Sequence, residues 1–267
     1  MQSPIGVFDS GVGGLTVMRE IMRQLPGENV IYFGDTARVP YGSKSPDTVI
    51  RYSKQIVNFL MTKDVKAIVI ACNTASAVAL EVLEKELSIP IIGVVEPGAK
   101  TAVETTVTNN VGVIATAATV KSGVYTQTLR QLNPQITVVS KACPLFVPMV
   151  EEGITEDHIT DEVVKRYLHE FKDYEIDSLI LGCTHYPLLR NAISRYMGED
   201  VKLVNPAYET AKSLKNLLRD KNIMNDNVDR GKYIYFVSDD GDSFISFANR
   251  VLPYDVKMAS TVNIESY

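Results

Sequence analysis

Apolar residues follow two alternating rhythms along this chain. Short unbroken runs, such as Ile5-Gly6-Val7-Phe8, Val30-Ile31-Tyr32-Phe33 and Ala67-Ile68-Val69-Ile70, read as strands buried on both faces of a parallel sheet. Between them, apolar positions recur every three or four residues, as helices require. Leu15, Val17, Met18, Ile21, Met22 and Leu25 do so until Pro26-Gly27. Val49, Ile50, Ile56, Val57, Leu60 and Met61 follow Ser45-Pro46, a capping residue and a proline suited to a first helical turn. A loop over 36–45, a helix over 75–86, a strand over 89–95 and a helix opened by Glu96-Pro97-Gly98 complete this half. The rhythm then restarts with a strand at 111–114, a helix over 120–132 and a strand over 136–140. It continues with a loop over 144–153, a helix over 159–171, a strand over 178–182, a helix opened by Pro187 and a strand over 201–204. Beyond it come a helix over 207–219, a polar stretch over 221–231 that reads as the most flexible loop, a strand over 233–237, a helix over 244–252 and a last strand near Val262-Asn263-Ile264.

The restart keeps its strand-end motifs in order. Asp9 corresponds to Ala115, Cys72 to Cys183 and Pro97 to Pro206, at separations of 106, 111 and 109. That order predicts an internal duplication. The fold class is α/β, with two similar α/β domains, mainly parallel sheets and an active site in the cleft between them. The expected division is 1–97 plus 207–267 for the first, discontinuous domain and 98–206 for the second.

Composition narrows the function. The 267 residues are 45% hydrophobic and 22% charged, with a net charge of −5. Those are globular proportions, and the acidic balance without a basic cluster argues against nucleic acid or an anionic membrane as partner. No run approaches the length of a membrane span, and no basic segment followed by an apolar stretch marks a leader, so a cytoplasmic protein is expected. Of the three cysteines none forms a C-x-x-C pair, so reduced thiols are expected, and their spacing to the histidines matches no zinc pattern.

Two of those cysteines occupy equivalent places. Ala71-Cys72-Asn73-Thr74 and Gly182-Cys183-Thr184-His185 each follow a buried strand and precede a helix. A thiol there can exchange a proton near neutral pH, and two thiols flanking one carbon form a racemase or epimerase arrangement. Cys143 has no counterpart and reads as structural. Asp9-Ser10 closes the first strand, where the acid could orient or deprotonate a neighbour and Ser10 could also cap the following helix. His185 could serve the Cys183 thiol or a substrate carboxylate, and Glu151 is the other candidate helper. Pro40-Tyr41-Gly42, Asn73-Thr74 and Thr184-His185 offer hydroxyls and amides suited to a small molecule with carboxylates. A competing reading is nucleotide binding. Gly11-Val12-Gly13-Gly14 follows a strand, and Asp35 lies 21 residues beyond Gly14, although Thr16 stands where the third glycine of that fingerprint belongs.

Taken jointly, Asp9-Ser10-Gly11-Val12-Gly13-Gly14-Leu15-Thr16, Pro40-Tyr41-Gly42, Ala71-Cys72-Asn73-Thr74-Ala75, Glu96-Pro97-Gly98 and Leu181-Gly182-Cys183-Thr184-His185-Tyr186-Pro187-Leu188 resemble the bacterial glutamate racemases of the aspartate/glutamate racemase superfamily. The resemblance runs to about Glu209. It implies a racemase that needs no cofactor, supplies D-glutamate for peptidoglycan and often forms homodimers. It also implies Cys72 and Cys183 as the paired acid and base, Asp9 assisting Cys72, and His185 and Glu151 assisting Cys183. Substrate contacts are implied at Asp9, Ser10, Pro40, Tyr41, Gly42, Asn73, Thr74, Thr184 and His185. Ala115-Thr116 departs from the family's Gly-Thr but keeps the threonine, which leaves Thr116 as a further contact. An aspartate racemase, or a nucleotide- or small-acid-binding module with inert cysteines, is the alternative.

Overall fold

The computed structural model describes residues 3–225 and 229–267. The first half runs β1 (Ile5–Asp9), α1 (Leu15–Gln24), β2 (Val30–Gly34), α2 (Pro46–Met61), β3 (Ala67–Ile70), α3 (Asn73–Glu86), β4 (Ile91–Gly93) and α4 (Val95–Thr105). The second runs β5 (Asn110–Ala115), α5 (Ala117–Ser122), α6 (Val124–Leu132), β6 (Thr137–Ala142), α7 (Phe146–Glu151), α8 (His158–Leu168), β7 (Ser178–Gly182), α9 (Arg190–Met197) and β8 (Lys202–Val204). The chain then adds α10 (Pro206–Asp220), β9 (Tyr233–Val237), α11 (Gly241–Val251) and β10 (Ser260–Thr261).

Among the described residues the strands form two sheets, both parallel, in the orders β10-β9-β2-β1-β3-β4 and β6-β5-β7-β8. The order β2-β1-β3-β4 in one is the order β6-β5-β7-β8 in the other. The duplication is therefore one of topology, and β9 and β10 extend the first sheet only. In each sheet the central strand ends between the two that flank it, so β1, β3, β5 and β7 deliver their C-terminal residues to one region, as open α/β sheets do.

Strand residues alternate between two apolar layers on the first sheet. Ile5, Val7, Val30 and Tyr32 face one layer, and Phe8, Ile31 and Phe33 face the other. The first layer continues into the second half through Ile114, Phe146, Leu181 and Tyr186, so both sheets share one core. A separate layer covers the far face of the second sheet with Val95, Tyr125 and Leu129. Among the described residues no helix is long and apolar enough to cross a membrane.

Several elements differ from the sequence reading. The expected helix over 120–132 is two helices, because Gly123 adopts φ +68 and breaks the run. The expected loop over 144–153 contains α7, whose Phe146, Met149 and Val150 are buried at helical spacing. Pro187 opens a 3-10 turn, Tyr186–Leu189, and α9 begins only at Arg190. The last strand pairs at Ser260–Thr261, while Ile264–Ser266 is a 3-10 turn whose Ile264 is buried. In the polar stretch, residues 226–228 lie outside the described residues. Its flanks are tied down, for Lys66 donates to the Ile223 carbonyl at 2.6 Å and Gly231 N–H to the Pro26 carbonyl at 2.8 Å.

Candidate functional site

Cys72 is the N-cap of α3, and the N–H of Ala75 donates to its sulfur at 3.5 Å. The expected helix at 75–86 therefore starts two residues earlier than its apolar spacing shows, at Asn73. The thiol also lies 3.6 Å from the Ser10 hydroxyl, to which it donates. In the second half Cys183 follows β7, and its sulfur lies 3.8 Å from His185 Nδ1. His185 Nε2 in turn lies 2.9 Å from Glu151 Oε1 at the end of α7. The helix that the sequence reading missed is what carries Glu151 to the histidine.

Both sulfurs open onto one cleft of about 410 Å³, within the size range of small-molecule sites. Much of the lining comes from strand ends. Ser10 follows β1, Asn73 and Thr74 follow Cys72, Thr116 follows β5, and Thr184 and His185 follow Cys183. Pro40, Tyr41 and Gly42 close one side from the loop between β2 and α2, and Glu151 closes another beside Val147 and Pro148. Asp9 is set behind this lining rather than in it. It is fully buried and accepts from the Gly11 N–H at 3.0 Å. Among the described residues that line the cleft there is no lysine or arginine, so anionic groups meet hydroxyls, amides and the His185 ring. None of the described residues cluster in a way that would hold a metal ion.

The site's electrostatics are uneven. Burial pushes the Cys72 thiol up, the Asp9 carboxylate adds to it, and the Ala75 N–H and Ser10 only partly offset them, leaving a pKa of about 12. Burial pushes the His185 imidazolium down, but its bonds to Cys183 and Glu151 and the pull of Cys183 and Asp9 outweigh that, lifting it to about 10. His185 is therefore a cation at neutral pH, donating from one ring nitrogen to Glu151 and from the other toward Cys183. Asp9 is raised by its burial, against the opposing effects of His185 and the N–H groups of Gly14 and Gly11.

Hydroxyls and one tyrosine hold the two halves together around the cleft. Thr74 lies 2.9 Å from Thr116 and 3.2 Å from Thr119, and Thr116 lies 3.0 Å from Thr119, closing a triangle between α3 and α5. Tyr125 of α6 donates to Asn73 Oδ1 at 2.6 Å. Thr16 donates to the Thr184 carbonyl at 2.9 Å. Thr119 and Tyr125 carried no signal in the sequence. Thr16 did, as the residue that spoils the dinucleotide fingerprint, and its hydroxyl is what joins the first turn to the second half. The nucleotide reading fails on Asp35 as well. Its buried carboxylate is occupied by Arg38, Tyr41 and Ser238, and Gly13 is pressed against Thr184 and His185 rather than cradling open space.

Comparison with known proteins finds relatives over nearly the whole chain. Residues 5–214 match the Asp/Glu/Hydantoin racemase family. A glutamate racemase of Geobacter metallireducens is 51% identical over 248 residues, which are 93% of this chain and 92% of that protein. Among solved structures, a glutamate racemase isoform from Bacillus anthracis superposes with a TM-score of 0.95 at 42% identity, covering 98% of this chain and 97% of that one. The glutamate racemase of Francisella tularensis in complex with D-glutamate gives 0.93 at 42% identity, covering 100% and 99%.

Proposed function

The chain belongs to the Asp/Glu/Hydantoin racemase family, and from that premise we propose that it is a glutamate racemase that interconverts L- and D-glutamate in this cleft. The D-glutamate serves peptidoglycan synthesis. The observation that carries the mechanism is the placement of Cys72 and Cys183, at equivalent strand ends of duplicated halves, on one cleft. Glutamate lies with its α-carbon between the sulfurs. One sulfur takes the α-proton, and the opposite thiol gives a proton to the other face, so the configuration inverts and no cofactor is needed.

In the site as it stands Cys72 holds its proton and Cys183 faces an imidazolium. Each sulfur serves as base for one enantiomer and as acid for the other. Asp9 acts on Cys72 through its charge, whereas Ser10 touches the sulfur. Glu151 fixes the orientation of His185 and favours its charged form, and His185 serves Cys183. An α-proton is far less acidic than a thiol, so carbanionic charge must be stabilised where it develops. The hydroxyls of Thr74, Thr116 and Thr184, the Asn73 amide and the N-terminus of α3 are the donors available. Ser10, Pro40, Tyr41 and Gly42 complete the substrate contacts. A homodimer and a cytoplasmic location belong to the same reading, on grounds of family resemblance.

The test is L-glutamate in deuterium oxide without added cofactor, with optical rotation and the α-proton signal followed together. Both decay for the wild-type chain, while L-aspartate is unchanged. Cys72→Ala or Cys183→Ala lowers racemisation by at least about 10²-fold, with the fold retained by circular dichroism. Loss of the α-proton signal without loss of rotation in the wild type defeats the two-thiol mechanism. No change in either signal defeats the racemase reading and favours a binding module.

A further inference from the structure

The loop between β2 and α2 supplies Pro40, Tyr41 and Gly42 to the cleft, yet its regular structure is confined to two 3-10 turns, Thr36–Arg38 and Tyr41–Ser43. Such a segment needs fixing from outside to hold a wall in place. The fixing point is Asp35, fully buried just past β2. Its carboxylate accepts from the Tyr41 hydroxyl, from Ser238 at 2.8 Å, and from Arg38 Nε at 2.8 and 3.0 Å. Arg38 extends the network, donating from Nη1 to Gln55 of α2 at 2.5 Å while its guanidinium lies 4.0 Å from the Tyr52 ring centre. Ser238 accepts from the Ala37 N–H at 2.8 Å, which ties the loop's start to the end of β9.

We propose that Asp35 is a positioning residue for glutamate binding, acting through Tyr41 to set the wall formed by Pro40, Tyr41 and Gly42. This rests on the racemase reading above. Asp35 does not line the cleft, so it touches no substrate. Tyr41 lines the cleft although it is 1% exposed, with its hydroxyl committed inward to Asp35. Its neighbour Gly42 sits so close to the other half that a Cβ there would lie 2.9 Å from Thr116 Cβ. Where Asp35 holds Tyr41 therefore decides how Gly42 meets Thr116, and hence the cleft's width. The Asp35 N–H also donates to the Asp9 carbonyl at 3.1 Å, which anchors the hub to β1. The sulfurs are placed by β3 and β7, not by this loop. Loosening the wall should weaken binding of substrate and transition state alike, which raises KM and spares kcat.

Steady-state kinetics with glutamate decide the matter for the wild type, Asp35→Asn, Tyr41→Phe, their double variant and Ser238→Ala. Asp35→Asn is expected to raise KM about tenfold with kcat within about threefold. Ser238→Ala should move KM the same way by a smaller factor. Tyr41→Phe should also raise KM, and the double variant should raise it no further than the larger single, because both substitutions break one connection. An unchanged KM in Asp35→Asn, a kcat loss without a KM rise, or KM factors that multiply in the double variant each overturn the proposal. Should Asp35→Asn not fold, the cycle of Ser238→Ala and Tyr41→Phe decides by the same rule: factors that fall short of multiplying support it, and factors that multiply overturn it. An inactive wild-type chain overturns the racemase reading and this inference with it. An active wild type with any failing result above overturns this inference alone.

Discussion

His185 stands between a half-exposed carboxylate and a buried sulfur, and its protonation follows from that position. Its pKa near 10 lies above the ordinary value of 6.5. The stability it contributes is therefore fully present below about pH 6.5 and is lost as pH rises through about 10. Activity that depends on the imidazolium should fall over the same upper range. Glu151→Gln removes the charge that Nε2 faces, so the alkaline limb of the kcat/KM profile is expected to move about 1–2 units toward neutrality. An unmoved limb would mean that Glu151 does not hold the proton on His185. The paired cysteines of the cleft were legible at this scale because a strand-end cysteine beside polar residues occurs twice. The hydroxyls of Thr16, Thr119 and Tyr125 were not, since their partners lie as many as 168 residues away and a threonine in a turn looks like any other. Asp35 was noticed, but its spacing suggested a ribose ligand. Its ion pair with Arg38 is local, three residues on, whereas Ser238 comes beside it only once β2 and β9 pair.

The glycine-rich turn between β1 and α1 packs its backbone tightly against the site. A Cβ on Gly13 would lie 2.4 Å from Thr184 Oγ1 and 2.5 Å from the His185 ring. Gly13→Ala is therefore expected to cost about 1–3 kcal/mol in stability. Because the displaced ring is the one beside Cys183, kcat should also fall about 10–10²-fold. Gly123→Ala is the contrast. Nothing surrounds that position, but its φ of +68 disfavours a side chain, so roughly 1 kcal/mol of stability is lost with kcat unchanged. Thermal melts and steady-state rates on the two variants separate packing at the site from backbone strain away from it. Strands were the legible elements, because an unbroken apolar run between turn residues is what a strand buried on both faces requires. Short helices were not: α7 spans six residues, too few for a period to show, and Gly123 splits a pattern that otherwise reads as continuous.

At the scale of the whole molecule, we infer two domains, 1–97 with 207–267 and 98–206. The division follows the sheets, although α4 begins at Val95 and α10 at Pro206, so both helices open at a boundary. Gly98 of α4 and Pro206 of α10 meet there, in the space a Cβ on Gly98 would have to share with the proline ring at 3.0 Å. Contacts across the division also converge on the cleft. Tyr125→Phe removes the donor to Asn73 Oδ1, leaving a buried acceptor unpaired, at an expected cost of about 1–2 kcal/mol. The melting temperature should drop by roughly 2–4 °C, and the KM for glutamate should rise because Asn73 lines the cleft. An unchanged KM would show that Asn73 is placed without its partner. The duplication was legible from the order of motifs. The sharing of one core by both sheets was not, since it depends on which faces of Ile114 and Leu181 turn toward the first half.

The two sulfurs stand in unlike company, Cys72 near a buried carboxylate and Cys183 beside a cation. Mirror-image substrates thus meet one protein in two chemical states. In the proposed two-thiol mechanism a conversion leaves the proton on the sulfur opposite the one that held it, so the emptied cleft keeps a record of the hand it last released. Erasing that record takes a proton out of one buried sulfur and another into its counterpart. With scarce substrate the erasure finishes between encounters. With plentiful substrate it does not, and progress curves begun from the two pure enantiomers cease to be reflections of each other.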